Sequence, residues 1–334
     1  MPTDDEPAAR LRRQVVRWYR RNARDLPWRR SDASPWAVLV SEVMLQQTPV
    51  ARVLPVWRQW LADWPEPAAL AAAEPAAAIR AWGRLGYPRR ALRLHAAARV
   101  IDERHGGVVP DDEAALRALP GIGEYTAAAV LAFAFSRRQP VLDTNVRRVH
   151  ARVFDGRAHP GAAAVSACER SRAVRLLPRT GPAAAEFSVS VMELGALVCT
   201  ARAPACASCP LARDCRFFAL GAPQPEEQRR GQGYAGTDRQ ARGALLAVLR
   251  DADGPVQAAD LALAWSPAEQ RERALASLVV DGLAVAADAG YALPGGQLPA
   301  SMMLPDASPG ASDALAAQRT SGSGTGTELT SSWE

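Results

Sequence analysis

Residues 119–143 read LPGIGEYTAAAVLAFAFSRRQPVLD, and this stretch decides the fold. Leu119-Pro120-Gly121-Ile122-Gly123 sets two glycines around one apolar residue, and an alanine-rich run from Tyr125 to about Phe135 has helical composition. Pro120 stops a preceding helix, and the glycines let the backbone come close to whatever lies outside. The first amides of the next helix then lack intrahelical acceptors, and the helix dipole favours an anion there. A hairpin of this kind between two helices is a seat for a DNA phosphate, with Ile122 plugging the turn into the core. An ordinary helix–turn–helix corner reads the same locally, so the flanking chain has to decide between them.

The bulk composition narrows the class. A chain of 334 residues that is 48% hydrophobic and 22% charged is globular, with room for two domains. Its net charge of +5 suits a polyanionic partner. All 40 basic residues are arginine. Asp4, Asp5, Glu6 and several arginines occupy the N-terminus, so no signal peptide is expected. Every long apolar run is broken by an arginine, proline or acid, so no membrane contact is expected either. A soluble, cytoplasmic protein follows.

Residues 11–24 (LRRQVVRWYRRNAR) pattern as a basic amphipathic helix with Leu11, Val15, Trp18 and Tyr19 on its apolar side. Asp25-Leu26-Pro27-Trp28-Arg29 breaks it, and the chain is helical again from Trp36 to Trp60. Glu42 lies in the middle of that apolar run. A carboxylate there costs free energy unless it is paired or works in its protonated form. Gln46-Gln47-Thr48-Pro49 closes the helix either as a plain polar end or as a group that reads base edges and fills the gap left by an extruded base. Tyr87, after Gly86, is placed to project from its loop as a wedge or to pack in the core. Strand signals are almost absent up to the hairpin, which predicts an all-α domain.

Asp143 precedes a helix whose apolar positions are Val146, Val149 and Val153, so it suits an N-cap. Amides and dipole at a helix start favour the ionised form, whereas the apolar surroundings of Glu42 favour the protonated one. Opposite protonation states are therefore expected for Glu42 and Asp143, the arrangement that breaks a glycosidic bond.

Cys199, Cys206, Cys209 and Cys215 form C-x6-C-x2-C-x5-C in a proline-punctuated loop. A disulfide framework is not expected without a secretory signal. Four thiolates this close in sequence bind a metal centre, zinc or an iron–sulfur cluster. Zinc sites usually show two close pairs, and this loop has a single C-x2-C. Cys168 falls in an alanine-rich helix and reads as a core residue.

Hairpin, aspartate and cysteine spacing together resemble the helix-hairpin-helix DNA glycosylases that carry a 4Fe–4S cluster. Within that superfamily, Ser41-Glu42-Val43-Met44-Leu45-Gln46-Gln47-Thr48 looks like the signature of the adenine DNA glycosylases, the MutY family. Leu26-Pro27-Trp28 and Gly83-x-Leu85-Gly86-Tyr87 fit the same family, and the likeness covers about residues 10–218. It implies an all-α, two-lobed fold, with residues 1–30 and 138–220 in an iron–sulfur lobe and residues 31–137 in a helical lobe that holds the hairpin. The implied activity is excision of adenine mispaired with 8-oxoguanine or guanine in double-stranded DNA, by a monomer working at the bacterial nucleoid.

The resemblance also assigns roles. Glu42 becomes the general acid at adenine N7. Asp143 stabilises the oxocarbenium-like sugar or traps it covalently, supported by Tyr125 and Asn145. Leu26, Trp28, Arg29 and Leu45 line the pocket for the flipped adenine. Gln47, Thr48 and Tyr87 occupy the duplex near the orphan base. Gly121 and Gly123 hold a phosphate through their backbone, with a monovalent cation bridging carbonyls to it. Cys199, Cys206, Cys209 and Cys215 hold the cluster. The related endonuclease III type uses a lysine two positions after the second hairpin glycine as its lyase nucleophile; here that position is Tyr125 and the chain has no lysine, which favours a monofunctional enzyme. Thymine-mismatch glycosylases also carry tyrosine there but no equivalent of the Glu42 motif. A non-catalytic DNA-binding module has no need of a buried acid. Three positions depart from the common family pattern: Thr144 within D-G-N, Pro88 in place of a second tyrosine, and Ser188-Val189 within F-N-(Q/E).

Residues 221–237 read as a linker of Gln, Gly, Pro and Arg. Three helices (239–251, 256–264 and 267–281) and a β-hairpin around Leu283 to Leu293 are expected next. This winged-helix-like domain, 238–294, would touch DNA or a protein partner. Gly, Ser, Pro and Thr dominate residues 295–334, which predicts a disordered tail.

Overall fold

The computed structural model describes residues 6–161, 163–223, 233–288 and 290–295. Helices α1 (Glu6–Asn22), α2 (Pro35–Leu45), α3 (Val50–Asp63), α4 (Pro67–Ala71), α5 (Pro75–Trp82), α6 (Arg89–His105), α7 (Glu113–Ala118) and α8 (Glu124–Phe133) come first. Next are α9 (Thr144–Asp155), α10 (Ala167–Leu176), α11 (Gly181–Leu197) and α12 (Arg216–Ala219). The C-terminal unit holds α13 (Asp238–Asp251), α14 (Ala258–Ala264), α15 (Ala268–Val280) and the hairpin β1 (Val285–Ala287) and β2 (Gly290–Ala292). No helix among the described residues is long and apolar enough to cross a membrane.

Local chemistry sets the helix ends. Ser34 caps α2 by accepting from Ala37 N at 3.1 Å, and prolines open α2, α4 and α5, where a missing N–H costs nothing. Gly106 and Gly156 end α6 and α9 in the left-handed conformation, with φ of 60° and 68°.

Two cores organise the first twelve helices. One collects Trp36, Leu39, Met44, Trp60, Leu94, Leu116, Ile122 and Leu131 from α2 to α8. Each fully buried leucine of this kind contributes about 1.5–3 kcal/mol. The other collects Leu11, Val15, Val146, Val149, Phe187 and Leu194 from α1, α9 and α11. A seam of Ala129, Ala132 and Val141, packed against Tyr125 and Met192, lies between them. The all-α, two-lobed expectation therefore holds. Leu26 and Trp28, however, belong to the α2–α8 core and not to the lobe expected for residues 1–30, because their side chains face α2 and α3.

The C-terminal unit packs against the helical lobe. Its core residues Leu245, Leu249 and Leu278 share one cluster with Ile79 and Leu92 of α5 and α6. Its second helix begins two residues later than expected, since Val256 forms a bridge with Tyr291, their amides and carbonyls exchanging bonds of 2.8 and 2.9 Å. Most of the expected linker, 224–232, and the expected tail beyond Gly295 lie outside the described residues.

Candidate active site and nucleic-acid interface

Glu42 sits on α2, which is buried from Trp36 to Met44, and is itself buried. Tyr125, in the first turn of α8, donates its hydroxyl to Glu42 Oε2 at 2.9 Å. Burial raises the Glu42 pKa, the Tyr125 bond lowers it, the Asp143 charge raises it and the Arg29 charge lowers it, for a net value of about 7. A group poised there gives or takes a proton at neutral pH.

Asp143 caps α9: its Oδ1 accepts from Val146 N at 2.6 Å and its Oδ2 from Asn145 Nδ2 at 2.7 Å. The expectation of opposite protonation shifts needs correcting. Burial raises the Asp143 pKa too, against the lowering by its Val146 and Asn145 bonds and the Arg148 charge. Desolvation therefore acts on both carboxyls in the same direction. Val146 N and Asn145 Nδ2 donate to Asp143, where the Tyr125 hydroxyl donates to Glu42.

Three supporting residues escaped the sequence reading. Arg148 donates through Nη2 to Asn145 Oδ1 at 2.8 Å and Gly195 O at 2.7 Å, and through Nε to Cys199 O at 2.8 Å. Gly195 is required on α11, because a Cβ there would come within 2.7 Å of Asn145 Cβ. Glu193 is a fully buried carboxylate that accepts from Arg24 Nε and Nη2 at 2.7 Å each and from Arg29 Nη2 at 2.9 Å. Burial pushes its pKa up, but the Arg24 and Arg29 bonds outweigh that and hold it at about 2.

Of the expected pocket residues, Arg29 is the one whose charge reaches Glu42. Leu26 and Trp28 are packed in the core and Leu45 lies half-buried against it. Gln47 and Tyr87 are exposed, and both hold left-handed φ values, 55° and 49°, that cost non-glycine residues strain. Thr48 is turned inward: its hydroxyl lies 3.3 Å from Leu85 O and 2.9 Å from Arg90 Nη2, so it ties two loops together. Gln46 Nε2 reaches Thr126 Oγ1 of α8 at 3.2 Å.

The hairpin has the expected form. Ile122 is buried, Gly123 is exposed at the N-cap of α8, and Gly121 has φ of 76° with Arg93 so close that a Cβ would meet it at 2.8 Å. Glu124 in the first turn pairs with Arg170, which offsets a negative charge at a terminus suited to anions.

Cys199, Cys206, Cys209 and Cys215 line one cavity with Val149, Leu194, Leu211 and Phe217. Among the described residues no three ligating groups converge tightly enough for a single metal ion. Four thiols lining one largely apolar cavity are a donor set that could hold a metal centre. Arg152 Nη1 lies 3.3 Å from Cys199 Sγ, and burial raises the Cys209 thiol to about 11, so thiolates there need positive charge. Cys168 is exposed, which corrects the expected core placement: α10 buries Ala173 and Leu176 on its other side.

Residues 40–168 match the family described as "HhH-GPD superfamily base excision DNA repair protein". An adenine DNA glycosylase of Mycobacterium tuberculosis is 54% identical over 284 residues, covering 84% of this chain and 92% of that protein. One from Mycolicibacterium smegmatis is 52% identical, covering 84% and 95%. The solved structure of a thermostable thymine-DNA glycosylase, 25% identical, superposes with a TM-score of 0.59 over 65% of this chain and 100% of that one. Fold and site thus define a helix-hairpin-helix glycosylase of base excision DNA repair. Within that class, the chain belongs to the adenine DNA glycosylase family, of the MutY type.

Proposed function

We propose that the protein is a monofunctional glycosylase that excises adenine mispaired with 8-oxoguanine or guanine from double-stranded DNA, acting as a monomer in the bacterial cytoplasm. The observation that carries this reading is the buried Glu42, held by Tyr125 and balanced near pH 7 beside Asp143. Protonated Glu42 gives its proton to N7 of the flipped adenine. The N-glycosidic bond breaks, its electron pair leaves with the base, and positive charge develops on the sugar. Asp143, oriented by Asn145, stabilises that charge or bonds to C1′, and water then adds at C1′ to leave an abasic site. Tyr125 stands where a lyase would need an amine nucleophile.

In the same reading, Gln47 and Tyr87 enter the duplex beside the orphan base. The Gly121–Gly123 backbone holds a phosphate, with a monovalent cation bridging hairpin carbonyls to it. Cys199, Cys206, Cys209 and Cys215 would hold a 4Fe–4S cluster. That group would supply a charged structural link between the end of α11 and the cysteine loop.

The test is incubation with duplexes holding one A:8-oxoguanine, A:G, T:G or A:T pair, followed by strand analysis with and without alkali. Breaks at adenine that need alkali are expected. Breaks at T:G would move the protein to the thymine-mismatch branch, and intact DNA despite binding would make it a binding module.

A further inference from the structure

Tyr87 sits in the Gly83–Pro88 loop between α5 and α6, and that loop is gripped from two directions. From within, Trp82 Nε1 and Arg90 Nη2 donate to Gly86 O at 3.0 and 3.1 Å, and the Arg90 guanidinium lies 5.4 Å from the centre of the Tyr87 ring. Arg90 Nη1 also donates to the carbonyls of Val43, Met44 and Gln46 at 2.8, 3.0 and 2.6 Å, which locks this loop to the one carrying Gln47.

From outside, the grip comes from the C-terminal unit. Arg250, near the end of α13, donates to Gly83 O. Arg80 of α5 returns the contact, reaching Arg250 O at 3.2 Å and Ala252 O at 2.9 Å. Asp281, after α15, pairs with Arg89 at 3.3 Å, two residues beyond Tyr87, and with Arg242 of α13. Beneath these polar contacts Ile79 and Leu92 are packed into the C-terminal core. Both ends of the loop are therefore fixed by residues more than a hundred positions away in sequence.

We propose that the C-terminal unit is a brace: by holding Gly83 and Arg89 it keeps the loop in the conformation that presents Tyr87, and so sets the grip on mismatched DNA. A left-handed tyrosine needs such over-determination, since a non-glycine residue relaxes from positive φ once its surroundings let go. The inference rests on the reading of Tyr87 as a residue that enters the duplex. It gives Arg250 and Asp281 a positioning role, acting on DNA through the loop.

Binding constants of the full chain for an A:8-oxoguanine duplex and for an A:T duplex test it. Tyr87→Ala and Arg250→Ala are each expected to weaken mismatch binding about tenfold, the size of one base–aromatic contact, and Arg250→Ala leaves A:T binding as in the wild type. The double variant should bind no more weakly than Tyr87→Ala alone, because both changes remove the same contact. Arg250→Lys, which retains a donor for Gly83 O, should restore most of the grip. Asp281→Ala gives a second line through Arg89 should Arg250→Ala lose its A:T binding and so report a folding defect. Additive losses in the Tyr87 doubles would overturn the brace, and so would a Tyr87→Ala variant that binds as the wild type does. Absence of adenine excision by the wild type would instead defeat the proposed function, and the binding cycle would still decide the brace.

Discussion

Tyr125 donates a 2.9 Å hydrogen bond to Glu42, joining the helix that opens at the glycine hairpin to the buried acid of α2. The glycine hairpin and the buried Glu42 are thereby mechanically linked. The bond favours ionised Glu42, so its removal must raise the Glu42 pKa above about 7. In Tyr125→Phe the alkaline limb of the single-turnover excision profile should move up by about one pH unit. A limb that moves down would show that Tyr125 does not act on Glu42 as a donor.

Glu42→Gln should cut excision by about 10²–10⁴-fold while mismatch binding persists. Binding lost in step with activity would mark Glu42 as structural. Stability provides an independent check. The Glu42 pKa rises from 4.5 unfolded to about 7 folded, so the folded state holds more protons between those values. The favourable contribution is full below 4.5 and lost as pH rises through about 7. Neutral glutamine escapes that loss, so the variant should exceed the wild type by about 1–3 kcal/mol near pH 8 and match it near pH 5 in urea titrations.

Glu193→Gln removes the charge that Arg24 and Arg29 share in a fully buried site. Two guanidiniums left beside a neutral amide should cost about 3–5 kcal/mol, read as a large drop in thermal midpoint. A drop of only a few tenths of a kcal/mol would mean that solvent reaches this network.

Arg148 carries the prediction that separates positioning from grip. Its bond to Asn145 holds the side chain that in turn holds Asp143. Arg148→Gln should slow single-turnover excision by about 100-fold, as expected when a reacting group shifts by about 1 Å, with duplex affinity little changed. An unchanged rate would show that the N-cap bond to Val146 fixes Asp143 unaided.

What the sequence discloses is what lies in contiguous runs. The Pro120–Gly123 turn, the Glu42 octet and the cysteine spacing each carry their chemistry within a few positions, so their roles are legible without a fold. Glu193, Arg148 and Arg90 are not, since a lone acid or arginine on a helix names no partner, and their hydrogen-bond partners lie between 42 and 169 positions away except for Thr144, Asn145 and Gly86. The Asp143 shift escaped for a related reason: an N-cap is a local pattern, whereas desolvation is a property of the closed seam. Thr48 shows the same limit. Its place in a polar corner suggested an outward role, and only the approach of Arg90 turns it inward. For the C-terminal unit, the expected order of three helices and a hairpin does not name α5 and α6 as the surface it packs on.

The acid and its partner carboxylate reach the seam from separately packed cores, Glu42 on a helix of one and Asp143 at the head of a helix of the other. A half-synthesised chain, or one with either core melted, holds one key of a two-key lock. On the roles proposed for Glu42 and Asp143, excision would be reserved for finished molecules, with the geometry of assembly as the safety catch.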